Sequence, residues 1–125
     1  MFADLLRSPE ISGRVVVVVE PDPIKREIVA RECGLSDNAV FDSAESFFAQ
    51  PKMADAVINT TMDRAHAETA IPAMEKGYHL LLEKPMAVTL EDCIAIEETQ
   101  RRTGVVVGIC HSLRYHALYA TIKQI

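Results

Sequence analysis

Four short apolar runs, set apart by longer stretches of helical period, do most to narrow the folds open to this chain. "VVVVV" (residues 15–19) is uniformly β-branched, as in a strand buried on both faces. "ADAVIN" (54–59), "YHLLLE" (78–83) and "GVVVGIC" (104–110) have the same character, and the weaker run "AVF" (39–41) fits a short edge strand. Helix signals fill the intervals. Asp22 and Pro23 read as N-cap and first helical residue, with Gly34 as the stop. Ser43 caps a short helix through Phe48. Asp63 starts a helix carrying Ala67, Ala70, Ile71 and Met74 on one face, stopped by Gly77. Pro72 inside it removes one hydrogen bond and crowds the carbonyl of Glu68, which predicts a kink. Thr89 with Asp92 resembles a capping box for a helix running to Gly104. The opening "FADLLRS" reads as a helical fragment with Leu5 and Leu6 inward.

Buried strands alternating with helices imply an α/β fold, a parallel sheet covered on both faces. Ligands of such sheets bind beyond the carboxyl ends of the strands. The residues to weigh are therefore Glu20 and Asp22, then Asn59, Thr60 and Thr61, then Glu83 and Lys84, then His111 and Arg114.

Composition removes several functions. The chain has 125 residues, enough for one compact domain. A net charge of −5 without a Lys/Arg cluster argues against a nucleic-acid face. Three cysteines without a C-x-x-C pair make a poor disulfide framework and a poor zinc site, so reduced core thiols are expected. "CHSLRYH", with Cys110, His111 and His116, matches no zinc spacing, and no metal is expected. The opening residues do not read as a cationic-then-apolar leader, so none is expected, and no apolar run approaches the roughly 18 residues of a membrane span. The expectation is a soluble, cytoplasmic protein.

Each strand-end residue has a structural and a functional reading. Glu20 is either a solvated acid opening a turn or an acceptor for both hydroxyls of an adenosine ribose, where its charge favours NAD over NADP. Thr60 and Thr61 either cap the next helix or help it hold a phosphate. His66, in the first turn of that helix, is either a packing residue or a ligand contact. In "EKP" (83–85), Lys84 is either half of a surface salt bridge or a catalytic amine. Partial burial beside Glu83 would fix its position, and it could bond a ribose or substrate hydroxyl and assist proton movement during hydride transfer. A cis Lys84–Pro85 bond is compatible with either.

The joint spacing is more specific than any one residue. "DAVINTTMDRAHAETAIPAMEKGYHLLLEKPMAVTLEDC" resembles the Gfo/Idh/MocA oxidoreductases, the glucose–fructose oxidoreductase and inositol dehydrogenase group. It has their strand, Thr-rich turn, helix with an early His, Gly before the next strand, and Glu-Lys-Pro. "VVVVVEPDPIKRE" is similar to the family's second strand, ribose acid and helix, and "TGVVVGICHSLRYHALYATIKQI" to its sixth strand and Arg-aromatic turn. Met62 stands where the family often has Pro. The resemblance implies a Rossmann-like, doubly wound, mainly parallel sheet with helices on both faces. It implies NAD as cofactor, a polyhydroxylated substrate such as a sugar or cyclitol, Lys84 as the catalytic residue, and Glu20, Asn59, Thr60, Thr61, His66, Glu83 and Lys84 around the nicotinamide dinucleotide.

The start departs from that pattern. None of the five glycines forms a G-x-G-x-x-G turn, so the expectation is a single partial NAD-binding domain over residues 1–125. It would lack the first strand, the pyrophosphate loop and the C-terminal substrate domain. Such a chain should be marginally folded or self-associating, bind NAD weakly and lack dehydrogenase activity by itself. Two alternatives stay open. A response-regulator receiver also has an acidic cluster after its first strand and a late Lys-Pro, but it needs an aspartate where this chain has Asn59. It should also need no further strand after Lys-Pro. The other alternative is a non-catalytic remnant.

Overall fold

In a computed structural model the described residues are Leu6, Ser8, Glu10, Ile11 and 13–124. The helical fragment expected over 2–8 lies largely outside them. The chain divides into two compact units, Met1–Ala54 and Asp55–Ile125.

In the first unit, strand β1 (Val18–Val19) pairs in parallel with β2 (Val40–Phe41), Val18 opposite Val40 and Val19 opposite Phe41. Helix α1 (Pro23–Cys33) makes the crossover, and its ends are built as the sequence predicts. The Asp22 carboxylate accepts from the N–H groups of Ile24 and Lys25, at 2.9 and 3.2 Å. Gly34 takes the left-handed conformation at φ 63°, and Leu35 N–H then reaches back to the Ala30 carbonyl at 2.8 Å, closing the last turn. Ser43 Oγ caps α2 (Ala44–Phe48) by accepting from Ser46 N–H. Phe47 is buried and packs its ring 5.6 Å from Phe41 and 5.1 Å from Phe48.

The valine run differs from expectation. Only Val18 and Val19 are strand, none of the five valines is buried, and Val19 is 37% exposed. A strand exists by virtue of its partner, and β2 supplies two residues along one edge. β-Branched residues without a ladder on the other edge stay half-wet.

In the second unit, β3 (Ala56–Asn59), β4 (His79–Leu82) and β5 (Val107–Ile109) form a parallel sheet in that order. Asn59 pairs with Leu82, and Leu82 with Ile109, so the three strands end flush. Helix α3 (His66–Glu75) packs on β3, β4 and helix α4 (Leu90–Thr103). Its inward face is Ala67, Ala70, Ala73 and Met74, which meet a core of Tyr78, Leu80, Leu82, Ile96 and Val105. Alanines there let the helix sit close on the sheet. One detail departs from the sequence reading. Asp63–Ala65 form a 3-10 turn, and the α-helix begins at His66, because Asp63 supplies no side-chain cap. The helix runs through Pro72 without a break, with buried residues on both sides of the proline. Thr89 caps α4 by accepting from Asp92 N–H at 3.1 Å, and Gly104 ends it at φ 69°. A last helix, α5 (Ala117–Ile122), follows a 3-10 turn over Ser112–Tyr115 and has no buried residue.

Candidate functional site at the carboxyl edge of the sheet

Because β3, β4 and β5 end in register, the three turns that follow leave the same edge of the second unit's sheet. Asn59 is buried and works inward. Its Nδ2 donates to Thr69 Oγ1 at 2.7 Å, and its Oδ1 accepts from Thr61 N–H at 3.1 Å and Thr61 Oγ at 2.8 Å. Thr69 Oγ1 in turn donates to the carbonyl of Ala65 at 2.7 Å. This network ties the end of β3 to the first turn of α3. Thr60 is exposed beside it and enters none of these bonds. His66 is wholly buried, with Nδ1 2.7 Å from the Pro85 carbonyl oxygen and Nε2 3.0 Å from that of Thr61.

After β4 the ladder runs one residue further, Glu83 N–H donating to the Asn59 carbonyl at 3.0 Å. The Glu83 side chain turns back, and Oε2 accepts from the N–H of Lys84 at 3.1 Å. The Lys84–Pro85 peptide bond is cis. Lys84 is exposed, not partly buried as expected, because it stands just beyond the last ladder bond. Among the described residues no ion pair holds it. Together with Cys110, His111, Ser112, Leu113 and Arg114 it lines an open pocket of about 260 Å³.

In the first unit Glu20 follows β1 and is half-buried, its Oε1 accepting from Asp22 N–H at 2.9 Å. Arg26, a cation that could meet a 2′-phosphate there, donates instead to the carbonyls of Glu20 and Pro21. Lys25 is exposed.

Residues 2–111 match the model of the oxidoreductase family with an NAD-binding Rossmann fold, Gfo/Idh/MocA. The chain belongs to this family. It is 32% identical over 112 residues to the 1,5-anhydro-D-fructose reductase of Ensifer adhaerens, a match covering 90% of this chain and 33% of that protein. It is 31% identical to the NAD(+)-dependent scyllo-inositol 2-dehydrogenase of Bacillus subtilis, over 90% of this chain and 32% of that protein. The crystal structure of the WlbA dehydrogenase of Chromobacterium violaceum, in complex with NADH and UDP-GlcNAcA, superposes with a TM-score of 0.80 at 25% identity, over 90% of this chain and 31% of that one. The chain thus spans about a third of the length of the relatives it matches.

Membership in the Gfo/Idh/MocA family carries the Rossmann-like fold, and nothing supports the receiver alternative. Asn59 stands where a receiver needs its aspartate, and β5 follows the Lys-Pro turn as a further parallel strand. Among the described residues no helix is long and apolar enough to cross a membrane, and no group of His, Cys, Asp and Glu is placed to hold a metal ion. The three cysteines are unbonded and half-buried. Burial, and after it the Glu83 carboxylate, push the Cys110 thiol above its ordinary value. Thr69 is the member of the network that sequence reasoning missed. A threonine within a helix bonding back to the preceding turn is a known pattern, but its other partner lies ten residues upstream.

Proposed function

We propose that this chain is the nucleotide-binding part of an NAD-dependent oxidoreductase that moves a hydride between nicotinamide and a carbinol carbon of a sugar, cyclitol or similar polyhydroxylated substrate. The observation that carries the proposal is Lys84, an ammonium without an ion-pair partner among the described residues. It stands at the carboxyl edge of a parallel sheet and lines an open pocket with His111 and Arg114. Within the second unit, hydroxyls after β3 and a lysine after β4 suit the nicotinamide end of the cofactor; in the first unit, taken by itself, a half-buried acid after β1 suits a ribose diol. Bound nicotinamide supplies the hydride acceptor or donor.

The chain's own residues bind and orient. Glu20 accepts from the two ribose hydroxyls and repels a 2′-phosphate, a preference supported by Arg26 being spent on backbone carbonyls. Thr60 and Thr61 contact the dinucleotide at the end of β3, on a turn that Asn59 holds. Glu83 fixes the backbone of Lys84. Lys84 Nζ donates to the reacting hydroxyl, lowers the cost of negative charge on that oxygen, and helps its proton leave or arrive. The substrates named for the relatives, an anhydrosugar and an inositol, agree with such a pocket.

Two measurements test this. In the chain extended by a relative's first strand and glycine turn, titration should show NAD binding more tightly than NADP, with the preference lost in Glu20→Ala; an NADP preference there refutes the ribose assignment. In the chain joined to a relative's substrate domain, Lys84→Ala should lower turnover by roughly 10²–10⁴-fold, the range of general acid–base assistance, with little change in cofactor affinity. Near-normal turnover reduces "EKP" to a structural turn.

A further inference from the structure

The stretch from Lys84 to Val88 is tied down sparsely. Apart from the Lys84 N–H on Glu83's own carboxylate, its one hydrogen bond among the described residues joins the Pro85 carbonyl oxygen to His66 Nδ1. The opposite ring nitrogen, Nε2, meets the carbonyl oxygen of Thr61. Carbonyl oxygens only accept, so each contact is a hydrogen bond when that nitrogen carries the proton. A neutral ring has one such proton and satisfies one carbonyl; a ring protonated on both nitrogens satisfies both. The two carbonyls belong to the turns after β3 and after β4, and Pro85 is the residue next to Lys84.

We propose that His66 is the positioning residue of this site, a ring in contact at both nitrogens that ties the Lys84 turn to the Thr61 turn and so sets where the Lys84 amine stands. It reaches no solvent and acts through Lys84 rather than on a ligand. The proposal rests on reading Lys84 as the group that meets the reacting atoms, but its test needs neither cofactor nor hydride transfer.

A ring that merely filled space would be replaceable by any group of its size. A ring that links two turns must reach both of them, one nitrogen to each. In the chain carrying His66→Gly, the amide resonances of Lys84, Met86 and Ala87 should leave their parent positions, while those of Ile96 and Thr99 in α4 stay. Added imidazole, which presents both ring nitrogens, should return them. 1-Methylimidazole, with one nitrogen blocked, should not. Unmoved resonances, or equal recovery with the two compounds, overturn the proposal. If the glycine variant does not fold, His66→Phe fills the space without a donor. It should displace the same three resonances, and parent-like positions there overturn the proposal equally. Near-normal turnover of Lys84→Ala in the chain joined to a relative's substrate domain would refute the functional reading and leave these resonances where they are.

Discussion

Asn59 and Lys84 show at the scale of single residues how one strand-end pattern divides into support and chemistry. Asn59 spends its amide on Thr61 and Thr69, inside the fold. Removing it takes a partner from the part-buried Thr61 N–H and from the Thr61 and Thr69 hydroxyls, a loss on the order of 1 kcal/mol. Asn59→Ala should lower the urea midpoint accordingly, and an unchanged midpoint would show that water replaces the amide. Lys84 is exposed, and among the described residues no ion pair takes up its charge. Cys110, lining the same pocket, gives a handle on its electrostatics. Its thiol is pushed up by burial first and by Glu83 second. A raised value means less thiolate at a given pH, and thiolate is what reacts. Glu83→Gln removes one cause, so alkylation of Cys110 at neutral pH should speed up, and its rate profile should move to lower pH. No change in rate would show that burial alone sets the thiol. The seven candidates can be picked out because residue types at strand ends are legible in the sequence. Which way each side chain faces was not: Asn59 and His66 turn inward, and nothing local in "VINTTMDRAH" says so.

Among the elements, the helices were the most legible and the strands the least. A helix end is a local matter. Asp22, Ser43, Thr89, Gly34 and Gly104 each do what their types suggest, since a cap needs only neighbours three or four residues away. A strand end depends on a distant partner, which is why five valines yield two residues of ladder and "GVVVGIC" yields three. Gly104 offers a test at this scale. At φ 69°, with nothing within 4 Å of an added Cβ, its replacement meets no steric neighbour. The cost of Gly104→Ala is therefore purely conformational, about 1–2 kcal/mol. Thr89→Ala, which removes the cap at the other end of α4, should cost about 1 kcal/mol. The two sites are far apart on one helix, so the losses should add in thermal melts of the double variant. A glycine variant as stable as the parent would mean that α4 ends elsewhere.

For the whole molecule, the open edges matter most. Among the described residues β1 is paired along one edge, by β2, and β3 along one edge, by β4. Apolar strands with a free edge invite pairing with another chain. The chain should therefore self-associate as its concentration rises, and a charged residue in β1, such as Val19→Lys, should reduce that. Sedimentation decides, and a concentration-independent monomer refutes it.

The middle position of β4 has its own consequence. It is bonded on both edges, to β3 and to β5, while each of those strands has one partner among the described residues. In any opening of this sheet the outer strands can leave singly, but β4 leaves only when the whole sheet does. Lys84 follows β4 with one residue between, whereas the facing wall of its pocket, 111–114, follows β5 and is exposed throughout. The two walls should then keep different time: deuterium would enter Leu81 and Leu82 last of all in this unit, and Arg114 at once. A pocket hinged in this way can widen to admit or release what it holds by yielding on one side, without ever letting go of its amine.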